Sequence, residues 1–453
     1  MDRLTRVRAY CSWCYRETWH YLVEQSRLRR AVYRCRSCHQ RTLKCRFCNN
    51  MARGGNRWDD ECCAEHDGTI ASFRKLSMKI EAPDKYGEMF ERECVNVVKA
   101  GKMAALAVGG AVVLGPAALR AAPAIGGMLG SSFLVSAGGS ALSGAAATNA
   151  GLAWFGGGAL AAGGMGIAGG VTVLTAAGGA LGATLGGVIS NSYFRQIEDF
   201  EIRKVRSGRG PAVVFINGFL SQRTEGFEEW EEGLDKHFPR NPWYQVRWES
   251  KRLADIGTLF ASTATKELLI RSLKKAANVA SRKAANKILP GALITHLFYL
   301  AKNPWHTAMV RAAQTGALLA DILARVPRKR FILLGNSLGA RVVFYTLCAL
   351  GTKGQRCIES VHLLGGAVGR DDVAAWRIAA RAVRNGIYNY HSDNDYVLRY
   401  LYRIGTLFQS EPIGCSPLDV GVPCVTNIDV SKHVKGHKDY KAKLATILYG
   451  KNV

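Results

Sequence analysis

Residues 331–351 read FILLGNSLGARVVFYTLCALG. The first four are apolar without a polar break, which is how a strand buried on both faces reads. The last twelve space their apolar residues as a helix does and end on Gly351, a stop signal. Between them lies Gly335-Asn336-Ser337-Leu338-Gly339. A GxSxG pentapeptide alone arises often by chance. Set between a buried strand and a helix, it has the context that a nucleophile elbow requires. The serine must sit on a tight, strained turn so that its oxygen leaves the sheet edge. Gly335 and Gly339 lack Cβ atoms and leave room for close strand–helix packing. The helix that starts there aims backbone N–H groups and its positive dipole end at the reacting centre.

Upstream, PAVVFI (211–216) reads as a second short buried strand, followed by NGFLSQ. Downstream, SVHLLGGAVGRDD places a strand at 360–364 with Asp371 and Asp372 after it. GIYNYHSDNDYVLRYLYR places a strand at 387–391 followed by Asp393 and Asp395. VTNIDVSKHVKGHKDYKAKL reads as a strand, then His433 and His437, then a terminal helix. Short apolar strands alternating with amphipathic stretches over residues 195–453 argue an α/β fold with a mostly parallel sheet.

A serine nucleophile needs a base, and the base needs an orienting acid; on this fold they follow in the order Ser, Asp or Glu, His. That order is present. Asp371 and Asp372 suit the cap of the helix DDVAAWRIAARAV. Asp393 and Asp395 compete as the acid, and spacing does not separate them. His437 follows Gly436 at a turn and is preferred to His433, which adjoins the strand. The oxyanion donors expected are the N–H groups of Leu338 and of Phe219 in the INGFLSQ turn.

GNSLGARVVFYTL, VHLLGGAV, NYHSDNDYVLRYLYR and NIDVSKHVKGHKDY together resemble the α/β-hydrolase-like family catalogued as domain of unknown function 726, which includes the transmembrane-and-coiled-coil-domain protein 4 type. The resemblance covers about residues 195–450 and reaches into the apolar segment before them. It implies Ser337 as nucleophile, Asp395 (before the VL pair and LYR) as acid and His437 of the GHxxY motif as base. Tyr396 stands where a Trp is common in that family, and the cysteine module below is not a feature of every member. The family implies a serine hydrolase and no particular substrate.

The N-terminal 75 residues are rich in Cys, Arg and Trp, and nine of the 13 cysteines precede residue 95. Cys11-x-x-Cys14 and Cys35-x-x-Cys38 together supply four thiolates, the number a tetrahedral zinc takes. Cys45, Cys48, Cys63 and His66 form a second set of the same logic, with Cys62 an alternative to Cys63. All ligands come from the chain, so the expected zinc is structural, and the hydrolysis needs no cofactor. No signal peptide opens the chain, and paired CxxC units fit a reducing compartment.

Residues 76–100 read as a mixed-charge linker, helical at its end. Residues 101–194 are dominated by Gly, Ala, Leu and Val, and no charged residue occurs from Ala121 to Phe194. One crossing takes about 20 apolar residues. Gly178, Gly182 and Gly186 share one helical face, as do Gly166 and Gly170, which lets helix backbones approach closely in lipid. This block reads as a membrane-associated helical segment. The formal net charge of +26 suits an anionic surface or partner. Within a basic helical insert at 251–330, TKELLIRSLKKAANVASRKAANKIL carries Lys and Arg on one side, as helices on anionic lipid do.

These readings converge on a membrane-associated serine hydrolase with a lipid membrane and an ester or lipid substrate as partners. The cysteine module, with the hydrolase domain, is expected on the cytoplasmic side. Nucleic acid is not the expected partner. The competing expectations are a membrane-anchored scaffold with a degenerate hydrolase domain, and a membrane-disrupting protein acting through the Gly-rich block.

Overall fold

The computed structural model describes residues 6–25, 30–54, 61–90, 190, 193–195, 197–218, 227–249, 306–351, 354–405, 410–418 and 421–448. The Gly/Ala-rich segment (apart from Ser190, Tyr193 and Phe194), the linker end at 91–100, the basic helix within 251–305 and Phe219 lie outside them. Among the described residues no helix is long and apolar enough to cross a membrane. The chain forms two compact units.

One unit takes in residues 1–79, 86–151 and 179–196. Its sheet is a meander of five antiparallel strands in sequential order: β1 (Arg6–Tyr10), β2 (Glu17–Glu24), β3 (Val32–Cys35), β4 (Arg41–Lys44) and β5 (Met51–Ala52). Apolar residues alternate with charged ones along these strands, so one face packs and the other meets solvent. Ala9, Tyr33 and Met51 centre a small core on the packed face. A second core gathers Tyr15, Ile70, Phe73 and Leu76 around Cys45 and Cys63.

The other unit takes in residues 80–85, 152–178 and 197–453. Its elements are β6 (Glu201–Arg206), β7 (Ala212–Ile216), α1 (Glu228–His237), β8 (Trp243–Arg247), α2 (His306–Ala324), β9 (Phe331–Asn336), α3 (Leu338–Gly351), β10 (Ile358–Leu364), α4 (Val373–Ala380), β11 (Val383–His391), α5 (Tyr396–Gly405), β12 (Val425–Asp429), α6 (Asp439–Ala442) and α7 (Leu444–Ile447). The sheet order is β12-β11-β10-β9-β7-β8-β6. Every neighbouring pair is parallel except β6 with β8. This is a mixed, mostly parallel α/β architecture. Its central strands β7, β9 and β10 are buried at every residue, as a sheet covered on both faces demands.

The chain moves outward from β7 to β8 on one side, then returns and moves outward from β9 to β12 on the other. The strand order therefore reverses between β7 and β9. Ligands on open α/β sheets bind at the carboxyl ends of the strands at such a point. The segment after β9 begins with Ser337. Asp372 caps α4, accepting from the Ala375 N–H at 3.0 Å.

Candidate active site and thiolate cages

Ser337 joins the last residue of β9 to the first of α3 with a φ of +57°, in the left-handed region. For a residue with a Cβ that conformation is costly and needs support from the surroundings. The support is visible. The Ser337 N–H donates to the Leu364 carbonyl at 2.9 Å, and its own carbonyl accepts from the Ala340 and Ala367 N–H groups at 3.1 and 3.0 Å. The turn fits only because Gly339 has no side chain: a Cβ there would lie 2.2 Å from the Ile216 carbonyl oxygen of β7. Gly218, after β7, is held to the same turn; its Cβ would fall 2.6 Å from that of Ser337.

Two later loops bring the other groups. After β11, Asp395 opens α5, and its Oδ1 accepts from the Leu398 N–H at 3.0 Å. After β12, a turn delivers His437. Its Nδ1 lies 2.6 Å from Asp395 Oδ2, and its Nε2 lies 2.8 Å from Ser337 Oγ. A carboxylate only accepts, so it holds the imidazole proton on Nδ1 and leaves Nε2 to accept from the serine hydroxyl. All three side chains are buried. A buried relay of this kind works in a low dielectric, where its hydrogen bonds are stronger.

The competing residues are elsewhere. Asp393 is exposed and faces Arg399 at 3.5 Å. Asp371 accepts from Ser410 Oγ, and His433 is exposed. Of the two oxyanion candidates, Leu338 is the first residue of α3; Phe219 lies outside the described residues.

Several supporting residues escape a sequence reading. Asn217, before Gly218, is fixed by two indoles: Trp230 Nε1 donates to its Oδ1 at 2.6 Å and Trp248 Nε1 to its carbonyl at 3.0 Å. Asn394 Nδ2 donates to the Ser431 and Val434 carbonyls at 2.9 and 3.1 Å, and Ser392 Oγ to Val434 at 2.9 Å. These bonds tie the loop of Asp395 to the loop of His437. Tyr440 closes the site from α6: its hydroxyl donates to the Gly414 carbonyl at 3.0 Å and its ring packs edge-on to His437. Only the DND run and the GHxxY spacing hinted at any of this.

In the other unit the cysteines gather into two cages, Cys11/Cys14/Cys35/Cys38 and Cys45/Cys48/Cys63/His66, with the donor atoms of each within 4.8 Å of one another. A tetrahedral ion with Zn–S bonds of about 2.3 Å has S···S edges of about 3.8 Å. Cys11–Cys38 and Cys14–Cys35 are 3.8 and 3.9 Å apart. In the second cage Cys48–Cys63 is 3.5 Å, and His66 Nδ1 lies 3.5 Å from Cys45 and 3.1 Å from Cys63. Backbone N–H groups of Phe47 and Cys63 donate to Cys45 Sγ at 3.4 and 3.2 Å. Hydrogen bonds from neighbouring thiols push Cys14 and Cys45 down and their partners Cys11 and Cys63 up. Thiols crowded like this cannot all ionise without a cation among them. Cys63, not Cys62, faces His66. The donor sets and spacings fit zinc.

The fold and site define a class: a mostly parallel α/β unit with a Ser–His–Asp hydrogen-bonded relay at its switch point. The chain belongs to the family described as protein of unknown function DUF726, which matches residues 96–453. An uncharacterized membrane protein of Schizosaccharomyces pombe is 31% identical over 257 residues, 56% of this chain and 32% of that protein. The transmembrane and coiled-coil domain-containing protein STS1 of Oryza sativa subsp. japonica is 29% identical over 295 residues, 62% of this chain and 43% of its own length. A protein named "Probable lipase MIL1" in Saccharomyces cerevisiae is 29% identical over 288 residues, covering 62% of this chain and 26% of that protein. The chain therefore spans less than half of each of these relatives. No solved structure matches it significantly.

Proposed function

We propose that the chain is a membrane-associated serine hydrolase of α/β-hydrolase type that cleaves a lipid acyl ester. The carrying observation is the relay itself: Asp395 to His437 at 2.6 Å and His437 to Ser337 at 2.8 Å, with the serine on a left-handed turn between β9 and α3. Ser337 Oγ attacks the ester carbonyl carbon, and its proton passes to His437 Nε2. Asp395 keeps the imidazole oriented and stabilises the imidazolium. The tetrahedral oxyanion takes hydrogen bonds from the N–H groups of Leu338 and Phe219, a contribution of several kcal/mol at the transition state. Collapse breaks the ester C–O bond, and Nε2 returns the proton to the departing alcohol. Water, deprotonated by the same nitrogen, then frees the acid and restores Ser337.

The lipid and membrane parts of the reading are supported by the names of the relatives and by the charge-free run from Ala121 to Phe194. Zinc in the two cages is structural: Cys11, Cys14, Cys35 and Cys38 would hold one ion, and Cys45, Cys48, Cys63 and His66 the other. The test is covalent labelling. A fluorophosphonate probe should label the wild-type protein and leave Ser337→Ala unlabelled. Folded wild-type protein that takes no label would sink the hydrolase reading.

A further inference from the structure

We infer that the open face of the five-stranded sheet is a docking surface for single-stranded nucleic acid. Read along the chain, the arginines of residues 6–41 are scattered. The register collects them. Arg6 of β1 stands opposite Tyr21 of β2, Tyr21 opposite Arg34 of β3, and Arg34 opposite Arg41 of β4. One pleat along, Arg8 stands opposite Trp19, and the N–H of Arg36 donates to the Trp19 carbonyl at 2.9 Å. Directly opposed residues share a face. The other face carries Val7, Ala9, His20, Leu22, Tyr33 and Thr42 and is the packed one.

All five arginines are exposed. Glu17 and Glu24 border the face, held by Arg8 and Arg41. Five guanidinium groups against these two carboxylates leave an excess of three positive charges. Tyr21 has Arg6 and Arg34 on the strands to either side, Trp19 has Arg8 on β1 and Arg36 just past β3, and the Arg6 guanidinium lies 4.5 Å from the Trp19 ring centroid. Trp19 and Tyr21 are two residues apart on one strand, about 6.8 Å along it.

That pattern has a specific chemical complement. Planar guanidinium forks pair with phosphate oxygens two bonds at a time. Aromatic rings and stacked guanidinium planes take the π-face of an unpaired base. Rings alternating with cations across a sheet therefore suit a strand that alternates bases with phosphates. Stacking on Trp19 and Tyr21 needs bases whose faces are free, which a duplex keeps stacked on one another, so the strand is single. An anionic bilayer fits less well. The interface wants apolar side chains that stand out, whereas Trp19 and Tyr21 are half-buried and Trp19 has Arg6 across it. The large exposed apolar residues among the described ones are Val23 and Phe47, and Phe47 leans on His66. This inference is independent of the hydrolase reading.

The test uses the full chain, loaded with zinc, in nonionic detergent. Fluorescence anisotropy follows its binding to an unstructured 20-nucleotide RNA across a range of salt. Wild type should bind at low salt. The triple variant Arg6→Gln, Arg34→Gln, Arg36→Gln should bind at least tenfold more weakly. Its slope of log affinity against log salt should be shallower by about 2, because each single-strand phosphate neutralised by the protein adds about 0.7 to that slope. Trp19→Ala should lose about fivefold or more and Trp19→Phe should recover most of it. Every variant must still hold two zinc ions per chain, which separates loss of the face from loss of the fold. The proposal is overturned if wild type gives no anisotropy change, or if the zinc-loaded triple variant binds as wild type does. It is also overturned if the arginine changes spare RNA binding and abolish sedimentation with phosphatidylserine vesicles.

Discussion

At Ser337 the left-handed φ and the tight packing around it make neighbouring glycines the most sensitive positions. A Cβ on Gly339 would meet the Ile216 carbonyl oxygen at 2.2 Å, and backbone cannot swing aside as a side-chain tip can. Gly339→Ala should therefore cost more than about 3 kcal/mol in urea unfolding and lose fluorophosphonate labelling. Gly436→Ala, where nothing lies within 4 Å of a new Cβ, should stay within about 0.5 kcal/mol of wild type. Asn394 tests the proposed relay differently. Its carboxamide bonds two carbonyls in the loop that carries His437, at 2.9 and 3.1 Å. Asn394→Ala should slow labelling of Ser337 by about tenfold or more, because small misplacement of a base is costly, while the urea midpoint changes little. An unchanged labelling rate would show that the loop is held by its other bonds. Ser337 and His437 could be picked from the residues because the chemistry demands those types in that order, whereas only the family resemblance separated Asp395 from Asp393. Asn394 and Asn217 could not, because they act through bonds to distant main chain and indole partners that leave no spacing to read.

Among the elements, the buried parallel strands were the easiest to read: FILL and PAVVFI are apolar because both faces of β9 and β7 are covered. β6 (EIRKVR) carries four charged residues and escaped notice, since an antiparallel edge strand shows one face to solvent and borrows its pairing from β8. The five-stranded meander is hidden for a related reason: its strands are short and arginine-rich, and the CxxC pairs between them read as metal ligands. β10 supplies a prediction about pH. His362 stacks on Tyr388 of β11, accepts or donates to Tyr390 Oη at 3.0 Å, and is pushed down to about 3 by burial, with His237 adding to the effect. The unfolded chain, with histidine near 6.5, binds the proton first as pH falls. Its contribution to stability is thus whole above about pH 6.5 and is lost as pH falls toward 3, by about 1.4 kcal/mol per unit. Urea midpoints at pH 7.5 and 5.5 should differ more for wild type than for His362→Gln. Equal differences would mean that other groups govern acid stability.

On the scale of the whole molecule, the two cages take every donor from residues 11–66 and the relay takes every side chain from residues 337–437. The two sets fall in different compact units. Their dependence on metal should differ accordingly. Among the described residues of the cysteine unit, the sheet core is small, centred on Ala9, Tyr33 and Met51, and the second core is built around the cage residues Cys45 and Cys63. Metal bound in the cages would supply folding free energy to this unit. The α/β unit instead packs Phe215, Trp230, Trp243, Tyr390, Tyr440 and further buried residues into one large cluster. Exhaustive chelation should release two zinc ions per chain and make residues 6–77 sensitive to limited proteolysis. The buried strands β7, β9 and β10 and helix α3 should stay protected, and Ser337 should keep its fluorophosphonate labelling. Loss of labelling along with the zinc, and its return on reloading, would show that the relay needs the metal-bound unit in place. CxxC spacing singles out Cys11, Cys14, Cys35, Cys38, Cys45 and Cys48 as candidate ligands and leaves Cys62 and Cys63 open, and it is silent on whether the cages and the serine stand or fall together. That depends on which apolar residues share a core, and cores are assembled by folding.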